Sequence, residues 1–343
     1  MILKLNLMKA IMPVVLLLPV ILSSCKSDSK PLLPNIGGKP GDVAVVISKA
    51  DWDGKIGEEY RKVFSVPYEM LPQYEPVYDL ININYDAFNE LFQRHRNIIF
   101  TEISGRYTKA RMLVEHDRYA QPQLVIHLQA PDDISFIRLL NASEQMIFSY
   151  LGRAERDRLL NLYKKTMDKD IQDRLRQKHN VSLIIPKGYS IVRDAEDFTW
   201  INQDVGPVIL GLVLYQYPYK DTVVFSLNKL IRIRDSFMQK YMPGEVEGSF
   251  MTTEKEFAPV YSEYLYQGKK HVAEMRGLWK TEKGVSMGGP FISISMMDEK
   301  NSRILTVEGF VYAAGHDKRN YMRQLEAILY SMKLPEGEGE SNQ

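Results

Sequence analysis

Four sets of side chains in this 343-residue sequence have types and spacings that chemistry could use. Gly284-Val285-Ser286-Met287-Gly288 spells G-x-S-x-G, the string that sets a nucleophilic serine on a strand-to-helix turn, and Asp298 and His316 follow in triad order. The run leads instead into Ile292, Ile294 and Met296, which alternate with Ser293 and Ser295 as a strand does. A glycine-rich hairpin turn is therefore expected. Ser226-Leu227-Asn228-Lys229 has the S-x-x-K spacing that lets an amine activate a hydroxyl one helical turn away. Its partner motif fails at Lys280-Thr281-Glu282, where glycine is required, so Ser226 reads as a helix N-cap accepting from a first-turn N–H. Glu115-His116-Asp117, with His127 beyond it, has metal-ligand types. In a strand Glu115 and Asp117 share one face and His116 takes the other, so the triplet cannot converge on one ion. Tyr215, Tyr217 and Tyr219 lie two apart, Tyr264 and Tyr266 repeat that spacing, and Trp279 follows. Such a ladder either stacks on sugars and peptides or covers a sheet. Tyr215, Tyr217, Tyr219 and Trp279 are the candidate binding surface. With no H-E-x-x-H, Walker loop or G-x-G-x-x-G, no catalytic residue, metal or cofactor is assigned.

The elements that would position these residues follow from periodicity. Asp42 to Ser48 reads as a buried strand, Gly54 to Phe64 as a helix, and Tyr78 to Asn84 as a strand. Asp86 is expected to cap a helix carrying Phe88, Leu91 and Phe92. "ARMLVEHDRY" and "QPQLVIHLQA" read as antiparallel strands about a turn near Pro122. Helix is expected from Pro131 to His179 with a break near Gly152, and Asn180 as its carboxyl cap. Residues 181–219 read as three strands turning at Pro186-Lys187-Gly188 and Gly206-Pro207. An amphipathic helix from Ser226 to Tyr241, a strand meander and a closing helix from Asp317 to Met332 complete the chain. Strands with segregated helices mean α+β, here as two domains of antiparallel sheet plus helix.

Composition narrows the partners. Lys plus Arg is 44 and Asp plus Glu 43, so no basic excess is present to neutralise phosphates, and nucleic acid is not an expected partner. Hydrophobic residues make up 45%, enough for packed cores. The single cysteine, Cys25, excludes an internal disulfide, a zinc cluster and a Cys-x-x-Cys pair. It follows Lys4, Lys9 and an apolar stretch from Ala10 to Leu22 that contains Pro13 and Pro19. A bilayer-spanning helix needs roughly 20 apolar residues. This shorter stretch suits the core of a signal peptide.

Leu22-Ser23-Ser24-Cys25 resembles the lipobox of bacterial lipoproteins. That resemblance implies cleavage before Cys25 and acylation of its thiol, with the membrane as partner; each buried CH2 adds about 0.8 kcal/mol to anchoring. The expected organisation is a signal peptide over residues 1–24, a lipidated tether over 25–40, α+β domains over 41–180 and 181–335, and an acidic tail over 336–343. "GDVAVVISKADWDG", "PKGYSIVRDAEDFTWI" and "ILYSMKLP" resemble a family of uncharacterised lipoproteins of the Bacteroidota, the domain of unknown function 4837, over nearly all of residues 41–335. Membership implies an envelope lipoprotein with no assigned activity. Residues 181–335 also resemble, as a fold, the PsbP-like sandwich, whose members are mainly binding and assembly factors. The expectation is a non-catalytic binding or assembly module on the periplasmic side of a membrane, with an envelope protein or glycan as partner. An envelope hydrolase working on glycan or peptide through carboxylates, and a glycan-binding lipoprotein, are the alternatives.

Overall fold

The computed structural model describes residues 32–219, 225–266 and 270–334, so the signal segment and Cys25 lie outside the described residues. The first sheet comes from β1 (Asp42–Val46), β2 (Asp79–Ile83), β3 (Asn97–Ile103), β4 (Arg111–His116) and β5 (Leu124–Ala130), in the order β2-β1-β3-β5-β4. Between β1 and β2 run α1 (Lys49–Asp53) and α2 (Lys55–Phe64), and α3 (Glu90–Gln93) precedes β3. β1 pairs in parallel with β2 and β3, β3 pairs in parallel with β5, and only β4 runs antiparallel, against β5. The expected antiparallel first sheet is thus corrected to a mixed, mainly parallel one. Its strands show why: all five residues of β1 and all seven of β5 are buried, since helices cover both faces of a parallel sheet. The expected β4–β5 hairpin is present.

One face of this sheet packs under α4 (Asp133–Lys165) through Phe136, Leu140, Ile147 and Leu151, which meet Val43, Val45, Ile99 and Ile126. Phe88 and Phe92 pack against the other face at Ile98 and Phe100. The break expected near Gly152 is absent. Leu151 and Glu155 are buried on either side of it, and that packing outweighs the roughly 1 kcal/mol cost of a mid-helix glycine. The helix ends instead at Thr166, and Asp168 caps α5 (Lys169–His179) by accepting from Ile171 N at 3.1 Å. Asn180 closes α5 in the left-handed region, φ 49°. Asp86 falls in a 3-10 turn, and Asn89 takes the capping role expected of it by accepting from Leu91 N.

The second sheet has eight strands. Seven follow the order β10-β11-β12-β13-β8-β7-β6, and β9 also pairs with β11. They are β6 (Ser190–Ala195), β7 (Phe198–Val205), β8 (Val208–Pro218), β9 (Phe250–Thr253), β10 (Val260–Tyr266), β11 (Lys270–Glu282), β12 (Gly288–Asp298) and β13 (Arg303–Tyr312). Every pairing is antiparallel. "SLII" is no strand: only Ser182 bridges, to Lys333, while Val181, Leu183 and Ile185 plug the core. Helices cover both faces. α7 (Arg319–Leu329) lays Leu325, Ile328 and Leu329 on Leu212, Leu214, Ile292 and Ile294. α6 (Leu227–Tyr241) lays Leu230, Met238 and Tyr241 on Val213, Tyr215, Ala273 and Phe291. The chain is therefore α+β around two sheets, and its described residues from Leu33 onward form one compact unit. Among the described residues no helix is long and apolar enough to cross a membrane.

Candidate functional site

The four chemical candidates separate once they are placed. Ser286 sits exposed in the β11–β12 connection, where Lys283 (φ 61°) and Gly284 (φ 80°) turn the chain. Asp298 is bound by Arg303 Nε at 2.8 Å and Asn301 Nδ2 at 2.8 Å, and His316 is exposed in the turn before α7, so no triad assembles. Ser226 is the N-cap of α6 but makes no side-chain capping bond, which corrects that part of the expectation. His116 is exposed, while His127 is buried, stacked on Phe100 at 4.8 Å and flanked by Glu102 at 3.5 Å and Glu115 at 3.7 Å. Among the described residues no group of three His, Cys, Asp or Glu side chains could hold a metal ion.

The tyrosine surface needs a larger correction. Tyr215 is only 2% exposed and Trp279 only 4%. Both lie beneath α6, Tyr215 stacked on Phe237 at 4.7 Å, and Trp279 Nε1 donates to Val311 O at 3.2 Å. The face read as open is a helix–sheet core, because α6 buries its apolar side there. Burial accordingly pushes the Tyr215 phenol well above its ordinary value, with Glu308 adding to the rise. Tyr264 lies on the opposite face and donates to Glu274 at 3.4 Å. The Tyr266 side chain lies outside the described residues.

Tyr217 and Tyr219 stay at the margin of that core, and Tyr217 lines a groove of about 650 Å³. Four segments build it: Glu196 and Asp197 from the β6–β7 turn, Gln216 to Pro218 from the end of β8, Lys240 and Tyr241 from the last turn of α6, and Asn301 to Arg303 at the entry to β13. Backbone bonds fix the loops to β8, with Gln216 N donating to Asp197 O at 3.1 Å and Tyr219 N to Ser302 O at 2.9 Å. Tyr241 donates its hydroxyl to Asp197, and its ring stacks on Phe198 at 4.6 Å. Lys240 Nζ sits 4.5 Å over that ring and 3.6 Å from Asp197. The Tyr241 contact comes first in raising the Lys240 ammonium above its ordinary value. Arg303 is fully engaged by Asp298, Gln216 and His179 O, so it stiffens the wall.

The Tyr217 hydroxyl turns inward. It is buried without a hydrogen-bond partner, near Ser295 and Thr306, which bond each other at 2.8 Å. Burial pushes the phenol up to about 12, the two hydroxyls pulling the other way. The groove thus offers a wall of aromatic rings with carboxylates and one exposed ammonium at its rim. Such a surface holds a ligand through stacking and mixed polar contacts. Of its residues, only Tyr217 was anticipated. Glu196, Asp197, Lys240 and Tyr241 stand in ordinary turn and helix-end contexts, and only folding brings them together.

Residues 37–164 match a domain of unknown function, DUF8532, and residues 168–331 match another, DUF4837. The second family therefore covers the part after Thr166, not nearly all of 41–335, and the change of family falls at the break between α4 and α5. No curated protein matches the chain. Among solved structures, the Ran-binding protein Mog1p of Saccharomyces cerevisiae is 6% identical over 45% of this chain and 90% of its own, with a TM-score of 0.29. LpqN of Mycobacterium tuberculosis, involved in cell envelope biogenesis, is 11% identical over 44% and 81%, TM-score 0.26. The lipid transfer and protein localization domain of human StarD13 is 12% identical over 48% and 97%, TM-score 0.22.

Proposed function

We propose that this chain is a lipid-anchored binding module of the bacterial envelope, of the Bacteroidota lipoprotein type, tethered through Cys25. Its ligand lies in the groove beside Tyr217. The observation that carries the reading is the groove itself: strand and helix ends with the turns bonded to them hold two aromatic rings, two carboxylates and the Lys240 ammonium around about 650 Å³. Those groups suit a ligand that alternates donors and acceptors, such as an envelope glycan or peptide. Asp197 is held by Tyr241 and Lys240, an arrangement that orients a carboxylate for hydrogen bonding to a ligand.

Two experiments test the two parts. Cells fed an alkyne-bearing fatty acid label the wild-type protein and leave Cys25→Ala unlabelled; equal labelling would remove the anchor. Glycan and peptide panels are then screened on the intact chain. A bound probe should lose about tenfold or more in affinity with Tyr217→Ala or Lys240→Glu, equivalent to roughly 1.4 kcal/mol. Unchanged affinity in both variants would remove the groove from function.

A further inference from the structure

A second cavity lies in the first half, about 340 Å³ between α4 and the β4–β5 turn. Its floor is Arg158, whose side chain is only 8% exposed. That guanidinium is anchored from below: Nε donates to Pro122 O at 3.0 Å, Nη2 to Arg96 O at 2.7 Å, and Nη1 to Asn97 Oδ1 at 3.0 Å and Glu155 Oε1 at 2.8 Å. The Glu155 oxygen that receives Arg158 also lies 3.3 Å from Arg96 Nε and accepts from Asn97 Nδ2 at 2.9 Å. Two guanidinium groups therefore share one carboxylate, and the side chains of all three residues are at most 12% exposed. Arg96 Nε and Nη1 are buried and make no hydrogen bond. A buried positive excess with unpaired N–H groups is costly unless an anion offsets it. Burial comes first in holding the Arg158 guanidinium below its ordinary value, and the nearby Arg96 charge adds to it.

The rim carries both signs, with Arg153 as well as two acids lining it. Asp117 and Asp157 both line the cavity; Asp117 accepts from Gln123 N at 2.8 Å, and Asp157 faces the exposed Arg153 at a loose 3.9 Å. Tyr150, Ala154 and Pro122 supply apolar wall between floor and rim. We propose that this cavity binds a small zwitterion, a free amino acid or short peptide, with its carboxylate at Arg158 and its ammonium at Asp117 and Asp157. A ligand carboxylate there adds to the partial offset that Asp117 already gives Arg158. The rim acids then discriminate against simple anions, which bring no cation to meet them. This site is separate from the Tyr217 groove and does not depend on it.

The test is calorimetric titration of the intact chain with the twenty common amino acids, the dipeptide Ala-Ala, acetate and inorganic phosphate. At least one zwitterion should bind saturably and raise Tm as binding to the folded state requires. Amidating its carboxylate should abolish binding, and acetylating its amine should weaken binding at least about tenfold. A free amino acid and Ala-Ala differ in length, so their relative affinities tell which source fits. Arg158 ties several backbone groups together, and its replacement endangers the fold, so the charge is removed at Arg96 instead. Arg96→Met keeps the Arg158–Glu155 pair and should cut affinity at least about tenfold in a folded protein, and Asp157→Asn should weaken only ligands with a free amine. Absence of binding by every zwitterion at 10 mM, approximately the weakest affinity a built site would show, overturns the proposal. So does tighter binding of phosphate or acetate, or binding indifferent to Arg96→Met.

Discussion

Single residues carry much of this molecule's sensitivity to conditions. His179 ends α5 fully buried, with Nε2 2.7 Å from Thr199 Oγ1 and Nδ1 unpartnered. Burial, with Lys178 adding repulsion, lowers its pKa from the ordinary 6.5 to about 4. Above pH 6.5 the ring is neutral in both folded and unfolded chains, and stability is unaffected. As pH falls toward 4 the unfolded chain takes a proton that the folded one refuses, so stability is lost across that window. The share lost between pH 7 and pH 5 is about 2 kcal/mol. Urea unfolding at the two pH values should show it, and His179→Gln should remove that share of the difference; an identical pH response in the variant would contradict the assignment. Arg234 is the other exposed nerve of the core, wholly buried and paired twice with the wholly buried Glu308, at 2.8 and 2.7 Å. Arg234→Met should cost about 3–5 kcal/mol because it strands the carboxylate, whereas pairing it with Glu308→Leu should restore most of that. Denaturation of the single and double variants checks the sign. Neither residue was legible in the sequence. Arg234 sits at an unremarkable place in an amphipathic helix, and its burial follows only from Glu308 facing it across the sheet. The tyrosine ladder was legible as a strand, but which of its two readings holds was not, because period-two aromatics look alike under a helix and under water; Tyr215 and Trp279 prove to cover the sheet.

At the scale of elements, the closing helix α7 depends on a loop from the other half of the chain. Lys318 at its start makes no side-chain cap, and Glu75 supplies one instead: Oε1 accepts from Lys318 N at 2.7 Å and Oε2 from Arg319 N at 2.8 Å. Both oxygens answer the free N–H groups and the positive end of the helix. Glu75→Ala should therefore destabilise by about 2 kcal/mol, measured by urea denaturation, with the loss falling on α7 in hydrogen exchange. A change below about 0.5 kcal/mol would show the cap to be dispensable. Elements with sustained periodicity were legible: α6, α7, the β4–β5 hairpin and the β10–β13 meander all stand where apolar spacing put them. The parallel character of the first sheet was missed although its signal was present. "DVAVV" and "LVIHLQA" are near-continuous apolar runs, which strands buried on both faces produce. The break after Thr166 was missed for a different reason, since Gly152 is the stronger breaker by propensity and only packing under α4 shows that it is tolerated.

At the scale of the whole molecule, the two family regions are sewn together. Besides Glu75, Tyr68 donates to Glu326, Arg319 Nη2 reaches Asp79 at 2.6 Å, and Arg323 donates to Val77 O and lies 4.9 Å over the Tyr78 ring. Arg156 of α4 sits 4.6 Å over the Tyr330 ring. Contacts this dense across the junction should make both sheets unfold together, so calorimetry should show one transition; two resolved transitions would mean that the halves are independent. The groove could not be read from the sequence because its parts come from turns at 196–197 and 301–302, two strand ends and a helix end, none of which carries a motif. On the function proposed above, this groove binds a ligand without transforming it. The most direct measurement is equilibrium binding of the glycan and peptide panel to the intact chain, beside Tyr217→Ala and Lys240→Glu, with the recovered probes checked by mass spectrometry. At least one probe should bind saturably, weaken at least about tenfold in both variants, and be recovered unchanged. A cleaved probe, with cleavage lost in Glu196→Gln or Asp197→Asn, would contradict it and make the protein a hydrolase.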